Sequence, residues 1–414
     1  MWRFLSTRRK QQFSILLMLM IIASLAEVVS VGAVLPFLGV LTAPEAVYQH
    51  ALIQPLIKFF EISEPKQLIL PLSIIFIIAT MFAGLVRVTL LYVTTRLSFA
   101  TGADISISIY RRTLYQDYEV HVGRNTSEVI NGIMGKTNDV ITLTLTPFLI
   151  LLSSMILLVG IMSALFFINV NVALSALLGF GILYSIVIFY TRKRLKENSA
   201  CIADQSTTLI KSLQEGLGGI RNVILDSTQT LYCQLYRKAD LPLRRAWGDN
   251  QFMTGSPRFV VEAIGMTLIA VLAYTMTQQP GGITAAIPVL GALALGAQRL
   301  LPVLQQAFSS YGSIQGSQSS FRDVLELLEQ PLPEYAGQPT PSPMEFMEEL
   351  KLTSLNFRYV GDGPWVLKNV SLSIKKGERV GFVGSTGSGK STLIDIIMGL
   401  LSPTDGALII DQNP

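Results

Sequence analysis

"GFVGSTGSGKSTLIDIIMGLL", residues 381–401, contains G-x-x-x-x-G-K-[ST] running from Gly384 through Ser391. Glycines at that spacing let successive backbone N–H groups converge on phosphate oxygens, and a helix beginning at the lysine adds the partial positive charge of its N-terminus. The pattern makes Gly384, Ser385, Thr386, Gly387, Ser388, Gly389, Lys390, Ser391 and Thr392 the candidate phosphate cradle. In such a cradle Lys390 reaches the β and γ phosphates, and the Ser391 hydroxyl ligates the Mg²⁺ that accompanies them. The flanking residues predict a strand over 379–383 and a helix from Lys390 to about Leu400.

Outward from this stretch the chain changes character. Half of the 414 residues are hydrophobic, 14% are charged, and the mean hydropathy is +0.48, which excludes an ordinary single-core soluble domain. Six stretches are apolar over the ~20 residues that a helix needs to cross a bilayer: 13–39, 68–92, 140–168, 172–190, 258–277 and 283–304. The first is too long, and lacks the small-residue cleavage pattern, to be a signal peptide. The net charge of +4 says less than where the cations lie. Arg3, Arg8, Arg9 and Lys10 precede the first span, and "TRKRLK" (191–196) follows the fourth, with more basic residues up to Arg245. Lys58 and Lys66 alone lie in the first opposite loop. The positive-inside rule therefore puts both termini and the loops 93–139 and 191–257 in the cytoplasm.

The two inner loops carry mixed charge at helix-compatible spacing, so the spans are expected to continue into the cytoplasm, turn and return. Asn125 with Glu128 marks a helix restart after a turn near 117–124. In the outer loop 40–67, Val47, Ala51, Leu52, Leu56, Ile57, Phe59 and Phe60 recur at near-helical spacing. They suit either an amphipathic helix on the outer leaflet or packing over the span ends. Cys201 and Cys233 are too few and too far apart for a metal cluster or disulfide framework, and read as reduced thiols. "QPLPEYAGQPTPSP" (330–343), with five prolines, forbids continuous helix or sheet. Three regions follow: a six-span domain over 1–330, a Pro-rich linker over 331–348, and from Glu349 an alternating pattern in "ELKLTSLNFRY" and "NVSLSI" that predicts strands.

"LNFRYVGDGPWVLKNVSLSIKKGERVGFVGSTGSGKSTL" resembles the start of the nucleotide-binding domain of ABC exporters, with the membrane domain fused ahead of it. "TSEV" (126–129) and "QEGLGGIRNV" (214–223) are similar to that family's restarts at its two coupling turns, with Ser127 where a glycine is usual. The resemblance implies a mainly α membrane protein, a six-helix exporter domain followed by the N-terminal part of a P-loop α/β domain over 349–414. It implies ATP with Mg²⁺, Tyr359 as the aromatic that stacks on adenine, a second copy of the chain as partner in a homodimer, and no nucleic-acid partner. Within the family, "HVGRNTSEV" with "EGLGGIRNV" looks most like bacterial lipid-linked oligosaccharide flippases of the inner membrane. The family's signature motif, Walker B carboxylates and switch histidine do not follow "ALIIDQNP". This stretch of chain is therefore expected to hold the cradle without the catalytic base and to be inactive as an ATPase-coupled translocase on its own.

Charges within the spans are rare and usually matter. Counted from the span ends, Arg87 and Arg299 fall in the inner half, with Arg258 and Glu262 at a similar level, and Glu27 alone nearer the outer half. One reading is a cationic ring for the phosphates of a membrane-lipid headgroup or lipid-linked substrate. The other is snorkelling arginine with a structural Glu262 ion pair. Three functional readings remain open: flipping of a lipid-linked saccharide, export of a peptide or drug, and a non-catalytic fragment that binds ATP at most.

Overall fold

The computed structural model describes residues 2–42, 44–49, 53–59, 62, 64–168, 170–277, 282–339 and 342–411. Contacts divide the chain into a unit of Met1–Ser108 with Ile130–Leu328 and a unit of Ile109–Val129 with Glu329–Pro414. The first cytoplasmic turn thus groups with the linker and nucleotide region, a division that the hydropathy pattern could not show.

Six long helices overlie the six apolar stretches: α1 (Thr7–Thr42), α2 (Ile69–Leu114), α3 (Thr146–Ile168), α4 (Val170–Gly218), then, after a helix α5 (Gln229–Gly255), α6 (Pro257–Thr277) and α7 (Gly282–Gly316). Among the described residues, the regions Thr7–Leu41, Pro65–Leu114 and Thr126–Ala164 are long and apolar enough to cross a membrane. In the most apolar window of the second of these only 11% is buried, and Ile77, Ile78, Met81 and Leu85 on this helix are exposed in the single chain. At 46 and 49 residues, α2 and α4 are about 69 and 74 Å long at 1.5 Å per residue, over twice a hydrocarbon core of ~30 Å. The expectation that the spans continue well past the membrane holds.

The membrane unit is stitched by close approach and polar crossings. The Ser24 hydroxyl donates to the Ile156 carbonyl at 3.3 Å, beside Gly160, where a Cβ would lie 2.7 Å from Ser24 Oγ. Ile161, Met162, Leu300 and Val303 bury α3 against α7, and Tyr184, Val261 and Phe308 join α4, α6 and α7. Between Thr126 and α3 the helix widens into two π-helical turns, Asn131–Lys136 and Val140–Leu145. Here Asn131 reaches Ser206 and Thr207, and the buried Lys136 ammonium meets Asp323 of α8 (Gln318–Glu329) at 2.5 Å. The outer loop packs over the span ends: Val40, Ile53, Ile57, Ile62, Leu68 and Leu72 form one buried cluster. Of the residues whose spacing suggested a helix there, Ala51, Leu52 and Phe60 lie outside the described residues.

The first cytoplasmic reversal is a short helix, Tyr118–Gly123, where the sequence suggested a plain turn. Asn125 behaves as expected, its side-chain oxygen accepting from the Ser127 N–H at 3.0 Å. The linker has no regular structure over its described residues and is held along the end of α2. Arg111 donates to the Ala336 carbonyl, Arg112 to that of Gln330 and Gln116 to that of Pro331, while the rings of Tyr115 and Tyr335 meet at 6.2 Å.

Beyond it lies a three-stranded antiparallel sheet, β1 (Glu349–Phe357) between β2 (Leu367–Lys375) and β3 (Asp405–Ile410), with α9 (Lys390–Ile397) packed on it. Strict alternation along β1 would send Leu352 and Leu355 to opposite faces. An irregularity in the ladder between them, where Ser354 takes φ 45°, resets the phase, and Leu352, Leu355 and Phe357 all reach the core with Leu367, Leu393 and Ile396. Each such side chain contributes about 1.5–3 kcal/mol by burial. β3 escaped the sequence reading, although "ALII" is a short apolar run of strand type. The predicted strand over 379–383 is not one: that segment pairs with no described strand, and Val383 is 99% exposed. An apolar run becomes a strand only when a neighbouring ladder accepts its N–H and C=O groups.

Candidate functional site

The Gly384–Ser391 stretch forms a tight loop that runs into a helix. Gly387 and Gly389 both sit at φ +84°, a left-handed conformation open to glycine, and the second leads directly into α9. A Cβ on Gly389 would lie 2.8 Å from Leu367 Cδ2, and one on Gly384 would lie 2.7 Å from Ser388 Oγ, so the loop wraps too tightly for side chains at either point. The Lys390 ammonium bridges the loop, donating to the carbonyl oxygens of Gly384 (2.8 Å) and Ser385 (2.7 Å) and to Ser388 Oγ (3.3 Å). Phosphate oxygens are stronger acceptors for it than those neutral groups. The first N–H groups of α9 lack intrahelical acceptors and sit at the positive end of the helix dipole. The residues present therefore fit the phosphates of a nucleoside triphosphate, and Ser391 lies in the first turn of α9 beside them. Thr392 is 6% exposed, and its hydroxyl lies 3.0 Å from the Tyr359 hydroxyl. The Tyr359 ring meets Phe357 edge-on at 4.9 Å and stays 43% exposed, which leaves surface for a base to stack on.

A second concavity lies in the membrane unit, a cavity of about 550 Å³ between α1, α2, α3 and α7. Arg87 lines it, and so does Glu27, which the sequence count placed at a different depth. Counting from the ends of an apolar run fails here because α1 and α2 extend beyond their apolar cores by unequal amounts. Hydroxyl-bearing Thr94, Thr146 and Ser154, and Gln306 of α7, share the lining; no sequence motif marked them. Arg258 is not among the lining residues. It faces Glu262 one turn on at 3.9 Å, both side chains more than half exposed, a pair worth a few tenths of a kcal/mol. The Arg299 side chain lies outside the described residues.

Residues 14–282 match the ABC transporter transmembrane region family, and residues 367–414 match the ABC transporter family. The chain belongs to the ABC transporters. An ATP-dependent lipid A-core flippase of Neisseria meningitidis serogroup B is 23% identical over 347 residues, 81% of this ABC transporter chain and 54% of the flippase. The leukotoxin translocation ATP-binding protein LktB of Mannheimia glucosida is 35% identical over 121 residues, 29% of this chain and 16% of that protein. The solved structure of a bacterial Atm1-family ABC exporter with ATP bound matches at a TM-score of 0.66 and 16% identity, covering 98% of this chain and 68% of that one. The chain thus spans about half, or less, of the curated relatives it matches. Together these findings make it an integral membrane protein with the exporter transmembrane fold and an ATP-binding domain.

Proposed function

We propose that this chain forms the membrane-spanning and ATP-cradling part of a half-transporter that pairs with a second copy of itself. Together the two copies use ATP, bound with Mg²⁺ at Ser391, to move a lipid-linked saccharide across a bacterial inner membrane. The loop cations orient both termini to the cytoplasm, which labelling of a cysteine at position 125 from either side reads directly. Nucleotide binding supplies the energy of closure. The chain's own residues grip the triphosphate at the cradle and connect it, through the linker held along α2, to the helices.

The observation that carries the substrate reading is Arg87 lining a cavity among membrane helices, in a chain whose likeness to lipid A-core flippases runs over most of its length. A guanidinium binds phosphate bidentately, which suits a phospholipid-linked headgroup. Similarity to a toxin translocator covers a smaller share of the chain and favours peptide export less. Arg87 is the first residue to test, and Arg299 and Arg258 follow it. Arg87→Ala is expected to weaken binding of a phosphate-bearing lipid by about 1.5–3 kcal/mol, with Arg87→Lys recovering part of it. Unchanged lipid binding by all three alanine variants, measured in nanodiscs, would reject the substrate reading.

A further inference from the structure

α1 and α2 run antiparallel, and two contacts fix their register. Near one end Arg9 Nε meets Asp104 Oδ2 at 2.7 Å; near the other the Phe37 and Phe76 rings stack at 4.7 Å with planes 8° apart. The residue numbers of each pair add to the same total, as antiparallel helices of equal rise require. That register sets Glu27 opposite Val86, one residue from Arg87. Both charged side chains line the same cavity, Glu27 half-buried and Arg87 exposed. A carboxylate and a guanidinium therefore share one depth of one cavity, about 15 Å along α1 from the Phe37 stack.

This pairing does not suit a bare phosphate. Arg87 would attract it, but the Glu27 carboxylate at the same depth has no hydrogen to donate to its oxygens. Nor does it suit a simple ammonium headgroup, since among the described residues no aromatic ring and no second acid lines the cavity. What the walls add is hydroxyl and amide chemistry, from Thr94, Thr146, Ser154 and Gln306. The Thr146 and Ser154 hydroxyl oxygens are fully buried and have no hydrogen-bond partner among the described residues. A polyhydroxylated group next to an anion meets all of these demands at once, and the aliphatic remainder of the lining accommodates a hydrocarbon chain.

We propose that Glu27 is a specificity-determining residue of this cavity: its carboxylate accepts hydrogen bonds from the hydroxyls of a sugar joined to the phosphate that Arg87 holds. The proposal rests on the reading of Arg87 as a phosphate contact, and its test separates the two. The full 414-residue chain in nanodiscs is titrated with three probes: a polyprenyl phosphate, the same lipid carrying one hexose on its phosphate, and phosphatidylethanolamine. Glu27→Gln is expected to weaken binding of the hexose-bearing lipid about tenfold, the loss of one charge-assisted bond. It should leave the bare phosphate lipid bound equally well or more tightly. Glu27→Asp, which keeps the charged carboxylate, should recover part of the preference and guards against a folding defect in the first variant. Equal loss for the hexose-bearing and bare lipids, or no loss for either, would overturn the role of Glu27. A loss confined to phosphatidylethanolamine would make it an ammonium site and would overturn the sugar assignment too. Arg87→Ala without effect on either phosphate lipid, while Glu27→Gln still discriminates between them, would remove the phosphate reading and leave the carboxylate role standing.

Discussion

The residues of the cradle from Gly384 to Thr392 are contiguous in the chain, whereas the membrane cavity takes its walls from four helices between Met20 and Gln306. The cradle's chemistry is carried by backbone: N–H groups brought into line by two glycines at positive φ, with a single lysine as the cation. The cavity's chemistry is carried by side chains scattered along separate helices, Arg87 on the same helix as exposed Leu85, which is not among the lining residues. A site made from backbone in one loop tolerates great variation around it. One made from side chains on separate helices depends on register, and a shift of one residue in α1 against α2 would swing Glu27 by ~100° about its axis.

That contrast can be broken most forcefully at Lys390. Lys390→Ala removes the ammonium that spans Gly384 and Ser385, and ATP binding to the purified chain is expected to fall at least tenfold, by the ~1.5–3 kcal/mol of a charge-assisted bond. Binding of the phosphate lipid should not change; if it falls in step with nucleotide binding, the two regions are not separable as described. A smaller effect is expected at Gly389. Alanine there must adopt φ +84° with its Cβ 2.8 Å from Leu367 Cδ2, which costs about 1–3 kcal/mol. The cost should appear as weaker ATP binding and a lower unfolding temperature of the nucleotide region, whereas Gly84→Ala, with open space around its Cβ position, should leave the membrane unit unaffected. An equal response from both glycines would erase the distinction between backbone-built and side-chain-built sites.

The smallest effect concerns pH. The N–H of Met347 above all, then those of Glu348 and Glu349, donate to the exposed Asp411 carboxylate and hold its pKa below the ordinary carboxylate range. A depressed folded pKa means that this tie contributes stability above the unfolded value of ~3.9 and loses it as pH falls toward the folded one. Asp411→Asn should therefore slightly lower the sheet's protection against amide hydrogen exchange at pH 7, and the difference from the parent chain should vanish on acidification. A difference that persists once the carboxylate is protonated would show that its charge is not what holds the two segments together.

Much of this was legible without a structure. The apolar stretches, the proline-rich break and the Gly384–Ser391 pattern depend on local composition and spacing, and the six long helices, the irregular linker and the closed loop appear where that chemistry puts them. The strand over 379–383 was not legible in the same sense: "RVGFV" has strand composition, but pairing is a property of two segments, and composition reports on one. The ladder irregularity at Ser354 escaped for a related reason, since only the core above β1 reveals that Leu352 and Leu355 must share a face.

Sequence by itself determined that this chain enters a membrane and carries a phosphate cradle, because hydropathy over ~20 residues and glycine spacing over eight act through the backbone of the segment that contains them. Only the tertiary structure decided that Glu27 and Arg87 lie at one depth of one cavity, that Lys136 is buried against Asp323, and that the linker is held along α2. Each is an encounter between side chains or segments far apart in the chain. Its geometry depends on helix ends, register and rotation, and no single stretch of residues encodes these.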